Sequence, residues 1–316
     1  MSSETQDKKQ NIIQSLLKNK EKTIILTKDN VKSVMFERRS KDSGCKIAFR
    51  GLTYDVELFP TVLRNLPDKV NNYTELREYE NKMYEDYNRY SIQYLPYYES
   101  LADWIASAQH YGLKTRLLDW TYNPLVALFF AINNEENKVD SYILATDVKY
   151  TINEFFYFSE TTDFEDVYTF KRMWQIIKNL RWIDFHPADL NCRDCPKNEI
   201  DKREFNAKVR RDGNMCFLET NDANPRIIAQ EGFFQLCRFP LNDAHNTTVE
   251  DITKHMIEEI LNNAKYIYVI PKESKAELRK FLNEMNITTP KLFPDLASIC
   301  RFINSKKYVK QSKGEK

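Results

Sequence analysis

Gln109-His110-Tyr111-Gly112-Leu113-Lys114-Thr115-Arg116-Leu117-Leu118-Asp119-Trp120-Thr121 runs, after Tyr122, into Asn123-Pro124 and the apolar stretch Leu125-Val126-Ala127-Leu128-Phe129-Phe130-Ala131-Ile132. The second part reads as a helix: Asn123 suits the N-cap and Pro124 the first helical position. A segment apolar on every side is one the fold buries. Arg116 to Trp120 is short and extended in character, so a strand leads into that helix. The block therefore sets a His, an Arg, an Asp, two Thr and a Gln directly beside buried surface. Polar groups there are costly unless paired. They form either an internal hydrogen-bond network or the wall of a polar site.

On the N-terminal side, Lys46 to Leu52 reads as a strand that carries Arg50 near its end, within Ala48-Phe49-Arg50-Gly51. Thr23 to Thr27 is a second, β-branched strand. Leu58 to Leu66 holds Phe59-Pro60-Thr61-Val62-Leu63-Arg64. Asn72 to Ala108 has a helical pattern that Pro96 divides in two, the second helix reaching Gln109. Leu76, Tyr79, Tyr87, Tyr90 and Tyr94 share one face of it. A tyrosine stripe serves either as a base-stacking platform or, more commonly, as a half-buried face with wet hydroxyls.

On the C-terminal side, Ser141 to Val148 is a core strand. Residues 150–220 change character and read as an insertion with helices of its own, containing Cys192-Arg193-Asp194-Cys195. Pro225 to Leu236 reads as a hairpin edge of the main sheet. A helix follows, with Thr248 at the N-cap, Glu250 and Asp251 in its first turn, and Ile252, Met256 and Ile260 on one face. Tyr266 to Ile270 is a strand stopped by Pro271. Leu278, Phe281, Leu282 and Met285 mark another helix, and Leu292-Phe293-Pro294-Asp295-Leu296 leads into a last short one. Residues 1–22 read as a flexible leader and 305–316 as a basic tail. Strands and helices mix without βαβ alternation. The expected fold is α+β: a mixed, mainly antiparallel sheet flanked by helices, in one domain over 23–304 with a helical insertion.

Composition bounds the function. The chain has 316 residues, with 47 Lys and Arg against 46 Asp and Glu, a net charge of +1. No global basic excess argues for nucleic-acid or anionic-membrane binding. No apolar run approaches a membrane span, and the polar N-terminus lacks a signal-peptide core. The expectation is a cytoplasmic protein. Its six cysteines read as reduced thiols rather than a disulfide framework. Cys192 and Cys195 would make half a zinc site, with His186 and Cys216 or Cys237 completing it, but one pair at this spacing is a weak signal. No dinucleotide fingerprint, P-loop, nucleophile elbow or His-Glu-x-x-His is present. Three of only six glycines, Gly51, Gly112 and Gly232, adjoin polar motifs. They are either ordinary turns or sites of close backbone approach.

At these residues the chain resembles the FRG domain family. The resemblance rests on Phe49-Arg50-Gly51, Leu58 to Arg64, Ala108-Gln109-His110-Tyr111-Gly112 through Asp119-Trp120-Thr121, Ala127 with Phe130-Ala131, Arg226 with Gln230-Glu231-Gly232 and Phe234, and Leu292 to Leu296. It spans about 46–300, interrupted by the insertion. It implies an intracellular bacterial or phage protein, with defence or toxin-like effectors among its relatives, and no settled activity. A fainter resemblance is to arginine-serine-glutamate ADP-ribosyltransferases, which use NAD. It implies that Arg50 binds a phosphate of NAD and that Thr121 is the hydroxyl that holds the pocket together. It also implies a third strand with a catalytic glutamate. Here Arg226 stands in that place, with Gln230 nearest, so Glu219, Asp119 or Glu231 must supply the carboxylate that stabilises developing positive charge.

The residues themselves allow the following roles. Arg50, Arg116 and Arg226 offer rigid forks for phosphate or carboxylate; Arg116 fits a buried pair with Asp119 equally well. His110 has a pKa suited to general base work, or it caps a helix. Gln109 and Gln230 can read an amide or tie the backbone. The expected site is therefore His110, Asp119 and Gln230 as catalytic residues, with Arg50, Gly51, Gln109, Thr115, Arg116, Thr121 and Arg226 binding NAD or another nucleotide. The alternative is a non-catalytic module for a nucleotide or nucleic-acid phosphate, and a third reading makes the motifs purely structural.

Overall fold

The computed structural model describes residues 23–35, 45–53, 58–91, 93–94, 101–133, 139–148, 151–152, 216–220, 224–237 and 247–305. The expected leader, residues 306–316 of the tail, Pro96 and most of the 150–220 insertion, including Cys192 and Cys195, lie outside them. The elements run β1 (Thr23–Ile25), α1 (Val31–Met35), β2 (Lys46–Leu52), α2 (Tyr73–Ser91), α3 (Leu101–His110), β3 (Leu117–Thr121), α4 (Pro124–Ile132), β4 (Ser141–Val148), β5 (Thr151–Ile152), β6 (Cys216–Leu218), α5 (Pro225–Ala229), β7 (Gly232–Leu236), α6 (Val249–Asn263), β8 (Tyr266–Ile270), α7 (Lys275–Glu284), α8 (Thr289–Leu292) and α9 (Leu296–Ser305).

Among the described residues the strands form one eight-stranded sheet in the order β1-β8-β4-β2-β3-β7-β6-β5. The pairings are antiparallel except β1 with β8 and β5 with β6, the outermost pair on each side. The fold is thus α+β with a mostly antiparallel sheet. Strand alternation sorts side chains onto two faces. Ala48, Leu52, Leu118, Trp120, Leu144 and Phe233 pack with Tyr73 and Leu76 of α2 and with Ile252, Met256, Ile257 and Ile260 of α6. Ile47, Phe49, Ile143 and Ala145 meet the buried residues of α4 and Leu278, Phe281 and Leu282 of α7. Trp104, Ile105 and Ala106 of α3 pack with Leu117, Leu218, Phe234 and Leu236. Helices α4 and α3 therefore pack against opposite halves of the sheet.

Local signals place most elements where the sequence expects them. The Asn123 side chain accepts from the Leu125 N–H at 3.0 Å and caps α4. Thr248 Oγ1 accepts from the Asp251 N–H at 3.1 Å and caps α6. Two expectations fail. Pro225 to Leu236 is not a hairpin at a sheet edge: Pro225–Ala229 is helical, and β7 is an inner strand. Asn224-Pro225 repeats the cap signature of Asn123-Pro124, and Asn224 Oδ1 accepts from the Arg226 N–H at 2.9 Å. The tyrosine face also differs. Helix α2 buries Tyr73, Leu76, Glu80 and Tyr84, while Tyr90 and Tyr94 are 67% and 78% exposed.

Candidate functional site

Strand β2 pairs with β4 along its whole length, from Lys46↔Val148 to Leu52↔Tyr142. Strand β3 pairs likewise with β7, from Leu117↔Leu236 to Thr121↔Gly232. Between β2 and β3 the register holds only at Phe49↔Thr121. A cleft of about 370 Å³ is lined there by residues of both strands, from Phe49 to Thr53 and from Leu117 to Thr121. Ala106, Gln109 and His110 of α3, Phe130 of α4, Arg226 and Ile227 of α5, Gln230 and Phe234 complete its walls, with Thr61 and Arg64.

Gly51 lines the cleft, but its reason to be glycine lies behind it. A Cβ at Gly51 would sit 2.7 Å from the Ala131 nitrogen and collide with the Ala127 carbonyl. Glycine lets α4 press against β2, the close backbone approach that was one of the two expected roles.

The expected site residues divide into those at the cleft and those behind it. Arg50 spans the split, and its Nη1 donates to the Asp119 carbonyl. The Asp119 side chain is exposed, and its Oδ1 accepts from Gln109 Nε2 at 2.9 Å. Gln109 Oε1 accepts in turn from the Thr115 hydroxyl. Thr115 is wholly buried and is not part of the lining. Its backbone N–H donates to Thr61 Oγ1 at 2.9 Å. The Thr121 hydroxyl donates to the Gln230 carbonyl at 2.6 Å and accepts from the Asn123 N–H at 2.9 Å, joining β3, α4 and the turn before β7. Gln230 Nε2 donates to the Leu292 carbonyl at 2.9 Å, so this glutamine ties the C-terminal segment to the cleft wall. Arg226 lies over the Phe293 ring, 4.4 Å from its centroid. A stacked guanidinium keeps its in-plane donors directed sideways. His110 rests edge-on against Tyr111, with ring centroids 5.2 Å apart.

Arg116 is not at the cleft. It is 2% exposed, and its Nε and Nη2 bind the Glu80 carboxylate at 2.8 and 2.5 Å. Neither ligand binding nor the alternative pair with Asp119 matches this position. Residues three apart on a strand point to opposite faces, which sends Arg116 toward α2 and Asp119 toward the cleft.

The three carboxylates considered for the missing glutamate also separate. Glu219 accepts from the Tyr122 hydroxyl at 2.7 Å, and Glu231 accepts from Asn123 Nδ2 at 2.7 Å. Of the three, only Asp119 lines the cleft. Phe234 stands opposite Asp119 on β7. Arg64 joins the cleft without being among the expected site residues. Arg64 lines the cleft and donates from Nε and Nη2 to the Phe59 carbonyl at 3.1 and 2.7 Å. Its place at the end of the quoted Leu58–Arg64 motif was the signal.

Electrostatics at the cleft are set by three arginines around one carboxylate. Burial holds His110 below the ordinary histidine range; Arg226 adds to this and Asp295 opposes it. Burial also lowers Arg226, with Arg301 adding and Asp119 and Asp295 opposing. Among the described residues, no three His, Cys, Asp or Glu side chains gather as a metal site requires. Cys237, offered above as a zinc ligand, is fully buried, and burial pushes its thiol up. No described helix is long and apolar enough to cross a membrane.

No curated protein and no solved structure matches the chain significantly. A family model does match, over residues 45–140, which carry β2, α2, α3, β3 and α4 and with them both quoted motifs. By that match, an FRG domain lies at residues 45–140.

Proposed function

We propose that the split between β2 and β3 is a nucleotide cleft, and that the protein is an NAD-dependent, ADP-ribosyltransferase-like enzyme. The observation that carries this reading is the joint lining by Arg50, Arg226 and Asp119 of a gap between two strands paired at one position. The donor set suits an anionic dinucleotide. Guanidiniums match phosphate oxygens, and Phe130 and Phe234 supply flat apolar walls.

NAD would supply a glycosidic bond that breaks with positive charge developing on the ribose. Asp119, an exposed carboxylate at the cleft, would face such charge. Arg226 holds the phosphates at the mouth, and Arg50 fixes the strand that carries Asp119. Neutral His110 accepts a proton from the incoming nucleophile. The FRG resemblance adds the setting, an intracellular bacterial or phage effector.

One observation favours the alternative, a phosphate-binding module without turnover: β7 brings Phe234, not a carboxylate, to the cleft. A titration with NAD and an assay of nicotinamide release separate the two. The transferase reading expects release, with NAD affinity falling about 10- to 100-fold in Arg226→Ala, the worth of a charged hydrogen-bond pair. Salt-sensitive binding without release leaves only the module. No binding at millimolar NAD overturns both.

A further inference from the structure

Beside Asp119 runs a chain of hydrogen bonds whose direction is fixed at every link. The Leu117 N–H donates to Thr115 Oγ1 at 3.1 Å. The Thr115 hydroxyl then has its proton available, and it donates to Gln109 Oε1. With its oxygen turned to Thr115, the Gln109 amide presents Nε2 to Asp119 Oδ1 at 2.9 Å. The amide orientation is consistent at both ends, since its oxygen accepts from a hydroxyl and its nitrogen donates to a carboxylate oxygen. Thr115 is itself clamped: its N–H donates to Thr61 Oγ1 at 2.9 Å, and its carbonyl accepts from the Val62 N–H at 3.1 Å. Thr115 has no exposure, so the chain is anchored in the core at one end. It emerges at the cleft at the other.

We infer that Gln109 and Thr115 are positioning residues for Asp119: together they hold its carboxylate in one rotamer at the wall of the cleft. This rests on the reading of Asp119 as the functional carboxylate. It assigns Gln109 a duty other than reading a ligand amide, since both ends of its amide are already engaged. It also explains why Thr61 of one motif and Thr115 and Gln109 of the other occur together. A carboxylate left on a free rotamer misses a developing charge by about an ångström, a misplacement that costs on the order of 100-fold in rate.

Two measurements on the full chain test this. The first is steady-state nicotinamide release from NAD by wild type, Thr115→Ser and Thr115→Val. Serine keeps the hydroxyl; valine removes it. The expected result is a kcat lowered about 10- to 100-fold in Thr115→Val with KM within about twofold, and near-wild-type kcat in Thr115→Ser. A Thr115→Val enzyme with unchanged kcat overturns the inference, as does a serine variant that fails equally while melting as wild type. The second needs no turnover: hydrogen exchange of the Gln109 side-chain amide by NMR. Slow exchange in wild type, faster in both Asp119→Ala and Thr115→Val, supports the chain. Equal exchange in all three overturns it. If wild type releases no nicotinamide, the transferase reading fails and the amide measurement alone decides the positioning role.

Discussion

His110 shows how one residue's chemistry depends on the groups it meets. Burial and Arg226 depress its proton affinity, and Asp295 only partly restores it. At neutral pH the imidazole is therefore neutral, as a base requires. An anion bound beside Arg226 offsets part of this depression, so binding takes up a proton below neutral pH while the imidazole stays neutral at pH 7. NAD affinity should rise as pH falls from 7 toward the lowered His110 pKa, and level off below it. His110→Gln should flatten that slope in titrations at several pH values; an unchanged slope would assign it to another group. Stability has the opposite sign. The unfolded chain protonates His110 first, so its contribution is lost as pH drops below the ordinary histidine range toward the folded value. Arg226 teaches a related lesson. A charge pattern in the sequence shows that a guanidinium is present, but only its seat on Phe293 shows which way its donors lie. Arg116, equally prominent in sequence, is spent on Glu80.

At the scale of elements, the Arg116–Glu80 pair is the bolt between α2 and the strand segment that leads into β3. Both side chains are almost without exposure, at 2% and 1%. A buried pair adds little net stability, but losing one partner strands a charge in the core. Arg116→Met should therefore cost about 3–5 kcal/mol, read from the denaturant midpoint, and the double change with Glu80→Leu should recover much of that. A double variant no better than the single would show that the pair stabilises by itself. Helical spacing in α2 was legible from Leu76 and the tyrosines around it, yet the buried face proved to be Tyr73, Leu76, Glu80 and Tyr84. Nothing local marks Glu80 as buried, because its partner lies 36 positions away. The Asn224-Pro225 cap, by contrast, was readable, since it repeats the Asn123-Pro124 signature. Five residues carry too little periodicity to argue for a helix on their own.

For the whole molecule, the family match and the cleft do not cover the same chain. Residues 45–140 contain β2 and β3 but neither of the strands that pair fully with them, β4 and β7. Within that span the sheet reduces to one register pair, Phe49↔Thr121. A polypeptide of 45–140 should show no cooperative melt by circular dichroism, because both strands become edges and the core residues on β4, β7 and β8 are gone. A sharp transition would mean that the matched span folds alone. The cleft itself needs Arg226, Gln230 and Phe234 from beyond the match. What the sequence by itself determined was whatever short-range physics sets: the strands Lys46–Leu52 and Tyr266–Ile270, the cap and burial of α4, and the α+β class. These follow from side-chain period and capping within a few residues. The tertiary structure alone decided the strand order, the gap between β2 and β3, and which polar groups face it. Those depend on contacts such as Arg50 with Asp119, 69 positions apart, and no local pattern encodes which distant backbone a guanidinium will meet.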